Sequence, residues 1–168
     1  KVMWYAANVA QDVRGAPDYG VRATLDGIDW KTLVDGRDGF VAGIRALIKD
    51  DGLCVIECPY LKPLIDHVEF DTVYHEHLCY FSVSALDALF RRHGLYLNHI
   101  EHLSIHGGSL RLFIEPVEAP KDSVLTQLKL EKAEGLTGPG YFEDFSTRVE
   151  TLKSDLDALL ADLKAQGK

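Results

Sequence analysis

The pattern of apolar and polar positions changes character near residue 38. Before it, one short apolar run, Val2 to Val9, has the continuous character of a buried strand that ends at Asn8. Residues 14–37 are rich in Gly, Asp and Pro with no sustained period, and read as a long loop with at most one short helix near Trp30. From Asp38 a helical period sets in: Phe40, Val41, Ile44, Leu47 and Ile48 share one face, and Gly52 supplies the stop. Leu53 to Pro59 is a second continuous apolar run, of the kind a parallel sheet buries on both faces. Strand, helix and strand in that order make a βαβ unit. It places Asn8 to Asp12 and Pro59–Tyr60 on a ligand rim beyond the carboxyl ends of the strands.

Further along, Glu69 to Ser82 reads as a loop, and "SVSALDALFRRHG" as a helix. Ser82 and Ser84 are its candidate caps, Ser84 with Asp87 fitting a capping box, and Leu86, Leu89 and Phe90 give the apolar face. "LYLNHIEHLSIHGGSLRLFIEP" reads as two strands around the Gly107–Gly108 turn, an antiparallel hairpin. After Pro120 the pattern becomes helical throughout. "DSVLTQLKLEKAEGL" is one helix, "TGPG" breaks it, and a long amphipathic helix follows. Its stripe is Val149, Leu152, Leu156, Leu159, Leu160 and Leu163, expected to pack on this chain's own sheet or on a further domain, or else to seek a partner. The expected class is therefore α/β over residues 1–120, followed by a helical extension over 121–168.

Composition adds limits. The 168 residues suffice for one domain with a full core, and 46% apolar with 26% charged residues is a globular balance. A formal net charge of −8 argues against nucleic acid and anionic membranes as partners. No apolar run reaches a membrane span, and the start has no signal-peptide pattern. Cys54, Cys58 and Cys79 are expected to be reduced thiols, which points to the cytoplasm. The first residue is not Met and the last residues read as a helix stop, so a piece of a longer protein is expected.

The chemistry concentrates in "EFDTVYHEHLCYFS", where Tyr74, His75, Glu76, His77 and Tyr80 crowd together. Imidazole titrates near neutrality and is the default proton-transfer group; a carboxylate can orient it and a tyrosine can hold a substrate oxygen. A metal reading is also open. His75 and His77 share a face in extended backbone, with Asp71, His67 or His106 as a third ligand. The His-x-x-x-His spacing of helical metalloproteases is absent, and no metal ligand set is assigned.

"EFDTVYHEHLCYFSVSAL", followed by "HGGSLR", resembles the S-adenosylmethionine-dependent sugar C-methyltransferases, which methylate nucleotide-linked ketodeoxysugars. The resemblance covers about Arg37 to Lys168 and, in part, Met3 to Val13. It implies the carboxy-terminal half of a Rossmann-like class I methyltransferase sheet ending in an antiparallel hairpin. In that family a zinc-binding region and the glycine-rich cofactor loop come earlier in the chain, and a carboxy-terminal domain comes later. Methyl transfer to carbon needs an enolate, so the resemblance makes His77 the base, with Tyr74 and Glu76 holding the sugar or orienting the ring. It places Asn8 at the rim beside cofactor and substrate, with Pro59 on the cofactor side. Asp12, Tyr80, His106 and Arg111 fall on the substrate side, although a structural ion pair is the commoner role for an arginine placed like Arg111.

Two departures stand out. The family has histidine where this chain has Asp12, and residues 14–37 have the look of an insertion. No G-x-G loop precedes the first strand, so the isolated 168 residues are expected to bind S-adenosylmethionine weakly or not at all. Two other readings compete: a non-catalytic interaction module working through the leucine-striped helix, homodimeric if the stripe pairs with itself, and a metal-dependent enzyme built on His75 and His77.

Overall fold

In a computed structural model of the chain, the described residues are 13, 14, 17, 22, 26, 27, 29–73, 77 and 79–167. The expected first strand, Val2 to Val9, lies outside them.

Helix α1 (Trp30–Leu47) begins where Asp29 caps it: the carboxylate accepts from the Thr32 amide at 3.1 Å and the Thr32 hydroxyl at 2.6 Å. Lys31 and Asp35 pair across the first turns. Residues 30–37, expected as loop with at most one short helix near Trp30, are therefore the opening turns of one continuous helix; the cap and the ion pair outweigh the cost of Gly36. Val41 is buried and Ile44 and Ile48 pack against the core, but Phe40 is 70% and Leu47 86% exposed. The helix ends at Leu47, with Ile48 already extended, before Gly52 is reached.

Strand β1 (Cys54–Pro59) belongs to a three-stranded sheet with β2 (Tyr96–Leu103) and β3 (Ser109–Glu115). The order is β1-β3-β2, and β3 runs antiparallel to both neighbours. β1 and β2 consequently point the same way with β3 between them. The expectation of burial on both faces fails for β1, and the strand expected parallel to it, Val2 to Val9, lies outside the described residues. Cys54, Ile56 and Cys58 turn to the core, while Val55, 49% exposed, and Glu57 turn outward. The apolar run hid this alternation because Val55 is apolar yet lies on the outward face. The β2–β3 hairpin forms as read, around a turn at Ile105–Gly107.

Between β1 and β2 lie α2 (Leu61–His67) and α3 (Val83–Arg91). Ser82, not Ser84, caps α3, accepting from the Ala85 amide at 3.1 Å. The reciprocal carboxylate expected from Asp87 comes instead from Glu131 on α4 (Asp122–Glu134). α4 lies along the outer edge of β2. The Lys121 amide donates to the Asn98 carbonyl at 2.8 Å, and the Ser123 hydroxyl accepts from the Ile100 amide at 3.3 Å. These bonds satisfy edge groups that would otherwise template aggregation. One core joins Leu110, Leu112 and Ile114 of β3 to Val83, Leu86 and Phe90 of α3, Val124 of α4 and Val41 of α1.

Gly135, in the left-handed region, ends α4. After a turn at Pro139–Phe142 comes α5 (Phe145–Ala165), which buries no residue. Its base is tied to α2. Lys62 pairs with Asp66 at 2.5 Å and Glu134 at 2.7 Å, the Tyr141 hydroxyl donates to Asp66, and Arg148 donates to the Asp66 carbonyl at 2.6 Å. The leucine stripe does not pack on this chain's own sheet. No helix among the described residues is long and apolar enough to cross a membrane.

Candidate active site

The loop between α2 and α3 is fixed at both ends. At the exit of β1, the Pro59 carbonyl accepts from the Phe81 amide at 3.3 Å, and the Leu61 amide donates to the Phe81 carbonyl at 3.0 Å. This short parallel bridge brings the end of the loop back to its start. Beside it, Tyr60 is buried, its hydroxyl donating to Glu131 at 3.0 Å and accepting from Gln127 at 2.6 Å. Burial, and next the Glu131 charge, push the Tyr60 phenol well above its ordinary range. It stays a neutral donor. Glu131 is fully buried and also accepts from the Val83 amide at 2.7 Å and from the Ser84 amide and hydroxyl at 2.8 and 2.6 Å. A carboxylate at the first turn of α3 meets the positive end of that helix as well.

Within the loop, His77 is half-buried and its Nδ1 lies 3.0 Å from the Thr72 carbonyl. A carbonyl only accepts, so Nδ1 carries the proton, and the neutral ring has its lone pair on Nε2. The Tyr80 hydroxyl donates to the same carbonyl at 2.6 Å and lies 2.8 Å from the Thr72 hydroxyl. Thr72 in turn donates to the Glu69 carbonyl at 2.8 Å. The hairpin turn closes the other side: the rings of His77 and His106 stand perpendicular with centroids 5.0 Å apart.

His106 is held in the left-handed region at φ +52°, followed by Gly107 and Gly108 at φ +77° and +129°. A side chain at either glycine would force a neighbour to shift. A Cβ on Gly107 would overlap the Glu69 carboxyl group, and one on Gly108 would lie 2.8 Å from Pro63. The turn therefore sits directly on the segment that carries Thr72, and the two glycines serve that approach.

The structure thus brings together His77, Tyr80 and His106, three of the residues expected from sequence. Tyr74, His75, Glu76, Asn8 and Asp12 lie outside the described residues. Arg111 is placed elsewhere, in the middle of the sheet. Its guanidinium bonds Glu57 at 2.7 Å and Glu101 at 3.0 Å, one carboxylate from each neighbouring strand, and those bonds hold its pKa above the usual value. That is the structural ion pair that is the commoner role for an arginine so placed.

Thr72, Glu69 and Glu131 are the residues that sequence reading missed. For Glu131 a signal existed: Val124, Gln127 and Glu131 share one helical face, so a carboxylate stood in the buried phase of α4. For Thr72 none existed, because it contributes a backbone carbonyl. Among the described residues no group of three or more His, Cys, Asp and Glu side chains is arranged to hold a metal ion.

The described residues do not form a cradle for a nucleoside cofactor. At the end of β1, the Pro59 carbonyl and the Tyr60 amide are engaged by Phe81 and by the Gly108 carbonyl, the latter at 3.1 Å. The space above Gly107 and Gly108 is filled by Glu69 and Pro63. A groove of about 620 Å³ lies between α2, the end of α4 and the start of α5, and neither His77 nor His106 lines it.

Two comparisons bear on this site. Residues 104–168, from just before the turn to the end of the chain, match the family model described as the C-methyltransferase C-terminal domain. The chain is 34% identical over 129 residues to C-methyltransferase NovU of Streptomyces niveus, an alignment covering 75% of this chain and 31% of that protein. The chain therefore spans under a third of the length of the curated relative it matches.

Proposed function

Because this chain belongs to the C-methyltransferase family, we propose that the protein transfers a methyl group from S-adenosylmethionine to a carbon next to a ketone in a nucleotide-linked deoxysugar, with His77 as the base. The observation that carries this reading is the bond from His77 Nδ1 to the Thr72 carbonyl, 3.0 Å long. A base needs a lone pair at a fixed place, and this bond assigns it to Nε2 and sets the plane of the ring. A carbon acid flanking a ketone loses its proton to such a group, leaving an enolate and an imidazolium. The imidazolium keeps its bond to Thr72 because both ring nitrogens are then donors.

The substrate side of the reading assigns Tyr80 and His106 to hold the sugar around the reacting carbon, with Tyr74, Glu76, Asn8 and Asp12 completing the rim. Tyr80 and His106 both lie against the His77 ring, with ring centroids 6.1 and 5.0 Å away. S-adenosylmethionine would supply the electrophilic methyl group, from a site that the described residues do not cradle. A Rossmann-like sheet is part of the same proposal. β1 and β2 run parallel to each other, as strands joined by a helical crossover would, with β3 inserted antiparallel between them.

Deuterium exchange tests the base without requiring turnover. The protein is incubated in D2O with a nucleoside-diphosphate keto-deoxysugar, with and without S-adenosylmethionine, and the carbon next to the ketone is followed by NMR. Exchange should be catalysed, and His77→Asn should slow it by about two orders of magnitude or more. Undiminished exchange in His77→Asn, or none in the parent under either condition, overturns the assignment of His77.

A further inference from the structure

Tyr80 sits where the His77 loop is anchored. Its neighbour Phe81 donates to the Pro59 carbonyl and accepts from the Leu61 amide, so the backbone there is fixed against the end of β1. From that anchor the Tyr80 side chain reaches back eight residues to Thr72, the last residue of the single 3₁₀ turn Phe70–Thr72. The last carbonyl of such a turn has no partner within it, so its direction is set from outside.

Each hydroxyl carries one proton. Thr72 donates its own to the Glu69 carbonyl at 2.8 Å. The Tyr80 proton is therefore the one that bridges to two oxygens of Thr72, the carbonyl at 2.6 Å and Oγ1 at 2.8 Å. With that proton turned to Thr72, the phenolic oxygen shows a lone pair to His77 Nδ1, 3.5 Å away. The Nδ1 proton thus faces two acceptors, the Thr72 carbonyl at 3.0 Å and, more weakly, the phenol. Both favour the tautomer whose lone pair is on Nε2. The two rings stand edge to face at 86°, so Tyr80 also bounds the His77 ring from one side.

We infer that Tyr80 is a positioning residue: through the Thr72 carbonyl, its hydroxyl sets the tautomer and the plane of His77. Its hold on the sugar is then left to the ring, because the hydroxyl proton points at Thr72. The consequence for catalysis rests on the proposed role of His77 as base, whereas the tautomer itself does not.

Nitrogen-15 NMR of the free 168-residue chain tests the tautomer, at about pH 9 where imidazoles are neutral. The His77 signals are identified by their loss in His77→Asn. In the parent, Nδ1 should show the shift of a protonated ring nitrogen and Nε2 that of a bare one. In Tyr80→Phe, which keeps the ring, the two shifts should move toward each other as the other tautomer becomes populated. Unchanged shifts in Tyr80→Phe overturn the proposal, as does a parent with the proton on Nε2. In the deuterium-exchange assay, Tyr80→Phe should lower the maximal rate about tenfold, the worth of one hydrogen bond, and leave KM unchanged. A higher KM at an unchanged maximal rate would make the hydroxyl a sugar ligand and overturn the positioning role. Exchange absent in the parent defeats the base assignment alone, because the nitrogen shifts are read without substrate.

Discussion

The Glu131 carboxylate, on α4, accepts from both the amide and the hydroxyl of Ser84, at 2.8 and 2.6 Å, across a separation of 47 residues. The helical extension is thereby built into the first turn of the helix that follows the His77 loop. Replacing Glu131 with Ala strands these donors, the Val83 amide and the Tyr60 hydroxyl in a site closed to water. The expected loss is about 3 kcal/mol, read as a lower urea midpoint with the slope unchanged. Glu131→Gln keeps the shape but turns an N–H₂ group toward donors, so it recovers only part of that loss. A loss under about 1 kcal/mol in Glu131→Ala would show the network to be dispensable.

Gly94 and Gly108 separate two costs of adding a methyl group. Both have positive φ, +66° and +129°, but a Cβ at Gly94 meets nothing within 4 Å, whereas one at Gly108 meets the Pro63 ring. Gly94→Ala should cost about 1 kcal/mol, for backbone conformation alone. Gly108→Ala should cost clearly more, because proline cannot swing aside, and should lift the turn that places His106 against His77. Thermal melts of the two variants, with nuclear Overhauser contacts between the two imidazoles, check both parts. Equal destabilisation with the imidazole contact retained would mean the turn does not depend on Pro63.

How far the sequence disclosed this architecture depends on where each signal resides. The hairpin and its turn were legible, because a Gly pair between alternating strands has few other uses. A break after α4 was legible at Thr137–Gly140, although the helix stops sooner, at Gly135, and so was the leucine stripe as a pattern. The start of α1 was legible only as a short helix near Trp30, and its continuity with the helix from Asp38 was not, because glycines interrupt the pattern at a cost that is small. The pairing of β1 was hidden because Val55 keeps the run apolar while facing outward. In the site, His77 could be singled out by residue type and by resemblance. Its holder Thr72 could not, since a backbone carbonyl has no sequence signature. Arg111 drew attention as a cation, yet its fate was decided by Glu57 and Glu101 on strands distant in sequence.

Cys58 faces the core, and burial pushes its thiol up to about 12. The thiolate is the reactive form, so at pH 8 native protein should leave Cys58 unmodified by a thiol reagent. Adding urea should make it react at the rate of an ordinary cysteine. Peptide mapping after timed alkylation distinguishes Cys58 from Cys54 and Cys79. Rapid labelling of Cys58 in the native state would place it outside the core.

The ties between α2 and the base of α5 should carry a pH signature. For Asp66, burial alone would raise the pKa, but the bonds from Lys62 and Tyr141 outweigh it and the folded value lies below the ordinary one. That contribution is therefore complete above the ordinary carboxylate range, near pH 4, and is lost as pH falls through the lower folded value. For Lys62, burial alone would lower the pKa, but bonds to Asp66, Glu134 and Tyr141 raise it instead. Its contribution is complete below the ordinary lysine value and is lost as pH rises through the higher folded one. Between these limits, Lys62→Met should be less stable than the parent by a constant amount. Partial exposure limits that amount to about 1 kcal/mol. Below pH 3 the difference should shrink, and the amides at the start of α5 should exchange faster in the parent too. Melting temperatures and hydrogen exchange across the acid range measure both, and a difference that persists undiminished at pH 2 would show that Asp66 is not the partner that matters.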